Sequence, residues 1–117
     1  MNKESLVIID AAGKKLGRLA TEISVALRRK NTADFAPQEF PAVMVTVTNA
    51  SKIDMSDKKG EHKIKSYSGY PGGLKQESAA HLMMRRGIKP VLEHAVMGML
   101  PKNKLRKRFI QMLTIEN

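Results

Sequence analysis

Cysteine is absent from this chain of 117 residues. No disulfide can form, and no thiolate is available as nucleophile or metal ligand. A reducing cytosol suits such a chain. Tryptophan is also absent, and aromatic residues make up only 4% of the sequence, so aliphatic side chains and methionine must fill any core. No apolar stretch approaches the ~20 residues that cross a bilayer. The run Leu6–Ile9 stops at Asp10 and is too short for a secretory leader. The expected location is therefore the cytoplasm, with no membrane partner. Hydrophobic residues still amount to 42%, enough for a true core. A single domain over 1–117 is expected, with no separate linker or tail.

Acid is the other scarcity. Only 11 Asp+Glu stand against 21 Lys+Arg, a formal net charge of +10. Residues 1–60 carry ten basic and seven acidic residues, whereas residues 61–117 carry eleven and four. A field of this sign and asymmetry attracts polyanions, nucleic acid first among them.

The pattern along the chain is that of an α/β protein. Leu6-Val7-Ile8-Ile9 is a continuous apolar run of the kind found in strands buried on both faces. After the turn Asp10–Gly13, the stripe Leu16, Leu19, Ala20, Ile23 and Leu27 predicts a helix over Leu16–Arg29. Pro37 and Pro41 mark an irregular connection. Val43–Asn49 alternates like a strand, and strand–helix–strand in this order suggests a right-handed parallel unit. Asp57–Gly60 reads as a turn and His62–Tyr67 as a weak third strand, followed by a glycine-rich loop. Helices are expected over Ser78–Arg86, capped by Gly87, then from about Pro90 to Met97, and over Leu105–Gln111. Met112–Ile115 reads as a last strand.

Several constellations fit a polyanion. Lys14, Lys15 and Arg18 lie where a strand turns into a helix, a place where free backbone N–H groups favour phosphate. The spacing of Gly13 and Gly17 matches neither a Walker loop nor a dinucleotide fingerprint. The alternative is an ordinary turn with solvated lysines. Ser68, Gly69, Tyr70, Gly72, Gly73 and Lys75 combine a bare backbone, an aromatic face and a cation, as RNA-binding loops do, though many such loops are only turns. Lys102, Lys104, Arg106, Lys107 and Arg108 place five basic residues in seven, with no acid among them. On a helix, Lys104, Lys107 and Arg108 share one face, and Leu105, Phe109 and Met112 share a face that is expected to be buried. Arg28, Arg29 and Lys30 end the first helix, and Arg85, Arg86 and Lys89 flank Gly87. These two groups serve either RNA or the helix dipole.

Catalytic chemistry finds little support. His62, His81 and His94 have no metal-ligand spacing, and no serine sits in a nucleophile motif. Glu77 and His81 are four apart and read as a polar pair on one helical face. The internal methionines, Met83, Met84, Met97 and Met112, read as core filler. No enzyme activity, metal, cofactor or small-molecule substrate is expected.

Four stretches in order, Ile8–Ile23, Val45–Ile53, Ser68–Lys75 and Ala95–Leu105, resemble the L-thirteen family of large-subunit ribosomal proteins in its bacterial form. The resemblance spans nearly the whole chain. It implies a three-layer α/β/α domain around a small, mainly parallel sheet. It also implies binding to large-subunit ribosomal RNA beside neighbouring large-subunit proteins, in support of early subunit assembly and translation. The family's RNA-facing parts map onto Lys14, Lys15 and Arg18, onto Ser68–Lys75, onto Arg85 and Arg86, and onto Pro101–Arg108. Some features depart from the family pattern. The N-terminal lead is shorter, and the family's C-terminal tail would lie beyond Asn117. Ala42-Val43 stand where an acidic residue is common, and Arg106-Lys107 follow Leu105 where Gly-Arg is usual. Ser66-Tyr67 replace an Arg-His pair, so that pair's RNA contact is either lost or moved to Lys63 and Lys65. An alternative role, binding messenger RNA as a regulator off the ribosome, is left open by the sequence.

Overall fold

The computed structural model describes residues 6–30, 43–55 and 61–116. The connection holding Pro37 and Pro41 and the turn expected over 57–60 lie outside the described residues. The architecture is α/β around a small parallel sheet. Strand β1 (Leu6–Asp10) runs into helix α1 (Leu16–Arg28), and β2 (Met44–Thr48) follows with a single 3₁₀ turn at Ala50–Lys52. A hairpin comes next, β3 (Lys63–Tyr67) and β4 (Leu74–Ser78). Helices α2 (Ala79–Arg86), α3 (Ile88–Met99) and α4 (Arg106–Gln111) lead to β5 (Leu113–Ile115).

The three-stranded sheet has the order β1-β2-β5, with every pairing parallel. β1 and β2 are parallel neighbours, as the apolar run and the helical stripe predict, and their register sets Leu6 opposite Met44 and Ile9 opposite Val47. Helix α1 lays Leu19, Ile23 and Leu27 onto Val45 and Val47, and α3 adds Leu92 and Val96 to the same core. Parallel pairing demands such a crossover, because the chain must return to the same end of the sheet. Lys30 N–H donates to Val25 O at 3.1 Å and Arg29 N–H to Ala26 O at 3.2 Å. That double closure ends α1 with Arg29 in the left-handed region, where glycine is usual.

The expectation that β1 is buried on both faces is corrected. Val7 and Ile9 pack on the core, but Leu6 is 63% exposed and Ile8 66%. The helices cover the face that carries Val45 and Val47, so alternate residues of β1 point away from them. The weak third strand exists, but it does not join the parallel sheet. It pairs antiparallel with β4, a strand whose sequence, LKQES, carries no apolar alternation. Met84 is also corrected, since it is 88% exposed and fills no core.

Candidate nucleic-acid interface

The hairpin shows how local sequence builds a rigid, exposed platform. Pro71 and Gly72 occupy the centre of a four-residue turn closed by Gly73 N–H donating to Tyr70 O at 2.9 Å. Proline presets the second position of a type II turn, and the third requires positive φ, which Gly72 supplies at 76°. In the paired strands Ile64, Ser66, Lys75 and Glu77 share one face, and Ile64 packs on the core. Lys63, Lys65 and Tyr67 therefore form a row on the outward face, opposite Gln76 and Leu74. Tyr67 is 64% exposed, and Tyr70 at the tip is 76% exposed. Lys75 is exposed on the other face. Sequence reasoning missed Tyr67 and Leu74 as partners, because only the register pairs them.

The β1–α1 turn differs from the expectation of free backbone donors. Ala12 N–H donates to Asp10 Oδ1 at 3.0 Å, Gly13 N–H to Lys52 O at 3.0 Å, and Lys14 N–H to Ala11 O at 3.2 Å. The Ala12 N–H, and then the Asn49 side-chain amide, hold the Asp10 carboxyl below its ordinary range. The Lys14 ammonium sits 2.8 Å from Glu22 Oε2. Only the side chains of Lys15 and Arg18 are exposed here without an acidic partner among the described residues.

At the far end of α1, roughly 20 Å away at ~1.5 Å per residue, Arg28 and Arg29 are half-buried and have partners within the chain. Lys30 is exposed beside them. At the start of α2, Ser78 Oγ accepts from His81 N–H at 3.2 Å and caps the helix. Glu77 is on β4, not on a helical face. It joins strand to helix by accepting from Arg85 Nε at 2.9 Å and Nη2 at 2.8 Å. Arg86 and Lys89 are exposed on either side of Gly87.

The basic run is docked by its apolar side. Phe109 is buried, while Leu105 and Met112 are only partly buried against the core, less than their helical spacing suggested. Lys102, Lys104 and Lys107 are exposed, and neither they nor the half-buried Arg106 has an acidic partner among the described residues. Arg108 is exposed and has a partner within the chain. Asn103 Oδ1 accepts from Leu105 N–H at 3.0 Å and shapes the entry to α4. Pro101 is half-buried at the start of the run. Thr21 Oγ1 lies 3.3 Å from Met99 Sδ, which ties this start to the first half of α1.

Dense cations, a glycine-rich tip and exposed aromatic rings together suit a polyanion with stackable bases. Comparison with known proteins gives this geometry a lineage. The family model described as ribosomal protein L13 matches residues 4–115. The chain belongs to the ribosomal protein L13 family. It is 48% identical over 110 residues to the large ribosomal subunit protein uL13 of Thermus thermophilus, covering 93% of this chain and 78% of that one. The uL13 protein of Clostridioides difficile is 47% identical over 92% of this chain and 76% of its own. That of Treponema pallidum is 43% identical over the same shares. Among the described residues, no three His, Cys, Asp or Glu side chains gather into a metal-binding group, and no helix is long and apolar enough to cross a membrane.

Proposed function

We propose that this chain binds large-subunit ribosomal RNA as a structural constituent of the large subunit, supporting early subunit assembly and translation. Its family is that of a ribosomal protein and not of an enzyme, and its place is on the cytoplasmic ribosome. The observation that carries the proposal is the basic run. Phe109, 4% exposed, anchors α4, and Lys102, Lys104 and Lys107 stand outward with no acid to neutralise them among the described residues. Like charges this close repel one another, and a phosphate backbone relieves that repulsion. The row Lys63, Lys65 and Tyr67 and the side chains of Lys15, Arg18, Arg86 and Lys89 extend the same surface chemistry. Neighbouring large-subunit proteins complete the expected partners.

Sucrose-gradient sedimentation of cell extract is the direct test. The protein is expected in the large-subunit and whole-ribosome fractions, and it should stay there at moderate salt. Recovery only at the top of the gradient, with messenger RNA or alone, would replace this reading by that of a regulator off the ribosome.

A further inference from the structure

Between the first turn of α1, the base of the hairpin and α3 lies an open groove of about 640 Å³. That is within the range of small-ligand sites, ~300–1,000 Å³. Its walls are mainly apolar, with His62 and His94 the only titratable side chains lining it among the described residues. We propose that this groove takes one unstacked nucleotide of the large-subunit ribosomal RNA. The base lies against Gly17 and Gly98, and its phosphates face Lys15 and Arg18. This rests on the reading above that the chain binds ribosomal RNA, and it adds a site at which a base, not only backbone, is held.

Two glycines carry the inference furthest. Gly17 is the second residue of α1 and Gly98 the last but one of α3, neither with positive φ, and a Cβ at either would meet no described atom within 4 Å. Glycine is a poorer helix former than alanine, most of all in a helix interior. Neither the backbone conformation nor a neighbouring atom of the described residues requires the missing side chains, yet both glycines line the same groove. What enters the groove is what needs the space. Charge decides what that is. Among the described residues no acid lines the groove, Lys15 and Arg18 flank its α1 wall in the sequence, and the basic run begins at Lys102, three residues past Met99 on the α3 wall. An apolar peptide from a neighbouring protein gains nothing from those cations. A nucleotide uses both parts, since its base can pack on apolar surface and imidazole while its phosphates meet the lysine and arginine.

The test fills the groove without touching a cation. Gly98→Leu and the control Gly98→Ala are compared with wild type for thermal unfolding, for affinity to transcribed large-subunit ribosomal RNA at several salt concentrations, and by base-specific chemical probing of the bound RNA. Both variants should fold at least as well as wild type. Gly98→Ala should bind normally. Gly98→Leu should bind about ten- to a hundredfold more weakly, with an unchanged salt slope and with one base that wild type protects becoming reactive. Exchanging Lys15 and Arg18 for Gln should do the opposite, lowering the salt slope by about one to two units while leaving that base protected at saturation. If Gly98→Leu binds as tightly as wild type with the same protections, the groove holds no nucleotide, although RNA binding stands. If wild type itself fails to bind the RNA, both readings fall. Should Gly98→Leu misfold, His94→Ala, at an exposed side chain, takes its place. A several-fold loss with weakened protection of that base is expected, and unchanged affinity and protection would overturn the proposal.

Discussion

The Glu77 carboxylate is held by both the Nε and Nη2 of Arg85, and the His81 ring nitrogen stands 2.6 Å away. The Arg85 hydrogen bond is the chief reason its pKa is lowered from 4.5 to about 2, and the same contact raises the pKa of Arg85. An acid depressed on folding stabilises the native state fully above its unfolded pKa, and that contribution disappears as pH falls through the folded value. Glu77→Gln should therefore lower the melting temperature at pH 7. The gap to wild type should narrow below about pH 4.5 and close near pH 2, and a gap independent of pH would show that the ion pair is not its source. Arg86, next in the chain, is exposed and has no acidic partner among the described residues, so its guanidinium is proposed to meet a phosphate. Binding and stability separate in the same way along the basic run. Exchanging Lys102, Lys104 and Lys107 for Gln should leave thermal unfolding unchanged or slightly raised. It should flatten the salt dependence of RNA binding by roughly two to three units. Phe109→Ala should cost about 3–5 kcal/mol of stability, since Phe109 is buried. Leu105→Ala should cost less, because Leu105 is only partly covered. Calorimetry and RNA titration on the folded fraction check both.

Among the elements, the junction of α2 and α3 depends on one residue. Gly87 has φ 85° and ψ −174°, a region that essentially only glycine occupies. Gly87→Ala should destabilise the protein by about 1–3 kcal/mol, measurable by denaturant unfolding, and should splay the two helices that carry Arg86 and Lys89. The elements also show how much was legible beforehand. β1 announces itself by an unbroken apolar run, α1, β2 and α4 by apolar periodicity, and α2 and α3 by the punctuation of Gly87 and Pro90. Strand β4 does not, since Leu74 and Lys75 are exposed and its partner on the core side is the single Ile64 of β3. A hairpin held by backbone pairing leaves little trace in side-chain pattern. The two exposed positions of β1 were illegible for the opposite reason. An unbroken apolar run looks the same whether one face or two are covered, and only the placement of the helices decides. Of the candidate site, the charges were legible, but their partners were not. Glu22 on Lys14 and the internal contacts of Arg28, Arg29 and Arg108 appear only in three dimensions.

For the molecule as a whole, the surplus of cations makes affinity for RNA a function of ionic strength. If six to ten phosphates are met, binding should weaken by about 10³–10⁵ between 50 and 200 mM salt. A filter-binding series would show it, and a flat response would argue for recognition by shape alone. The order of strands in the sheet adds a constraint of a different kind, one of time. β2 lies between β1 and β5, and β5 is translated only after the hairpin and all the later helices. During synthesis β1 and β2 can pair early, but Val45 and Val47 wait for Leu113 and Ile115 to close their other edge. Until then the central strand offers an open row of backbone donors and acceptors. The parallel sheet is thus complete only once the segment that follows the basic run has been made, and the pairing of β2 with β5 then covers the second edge of the central strand.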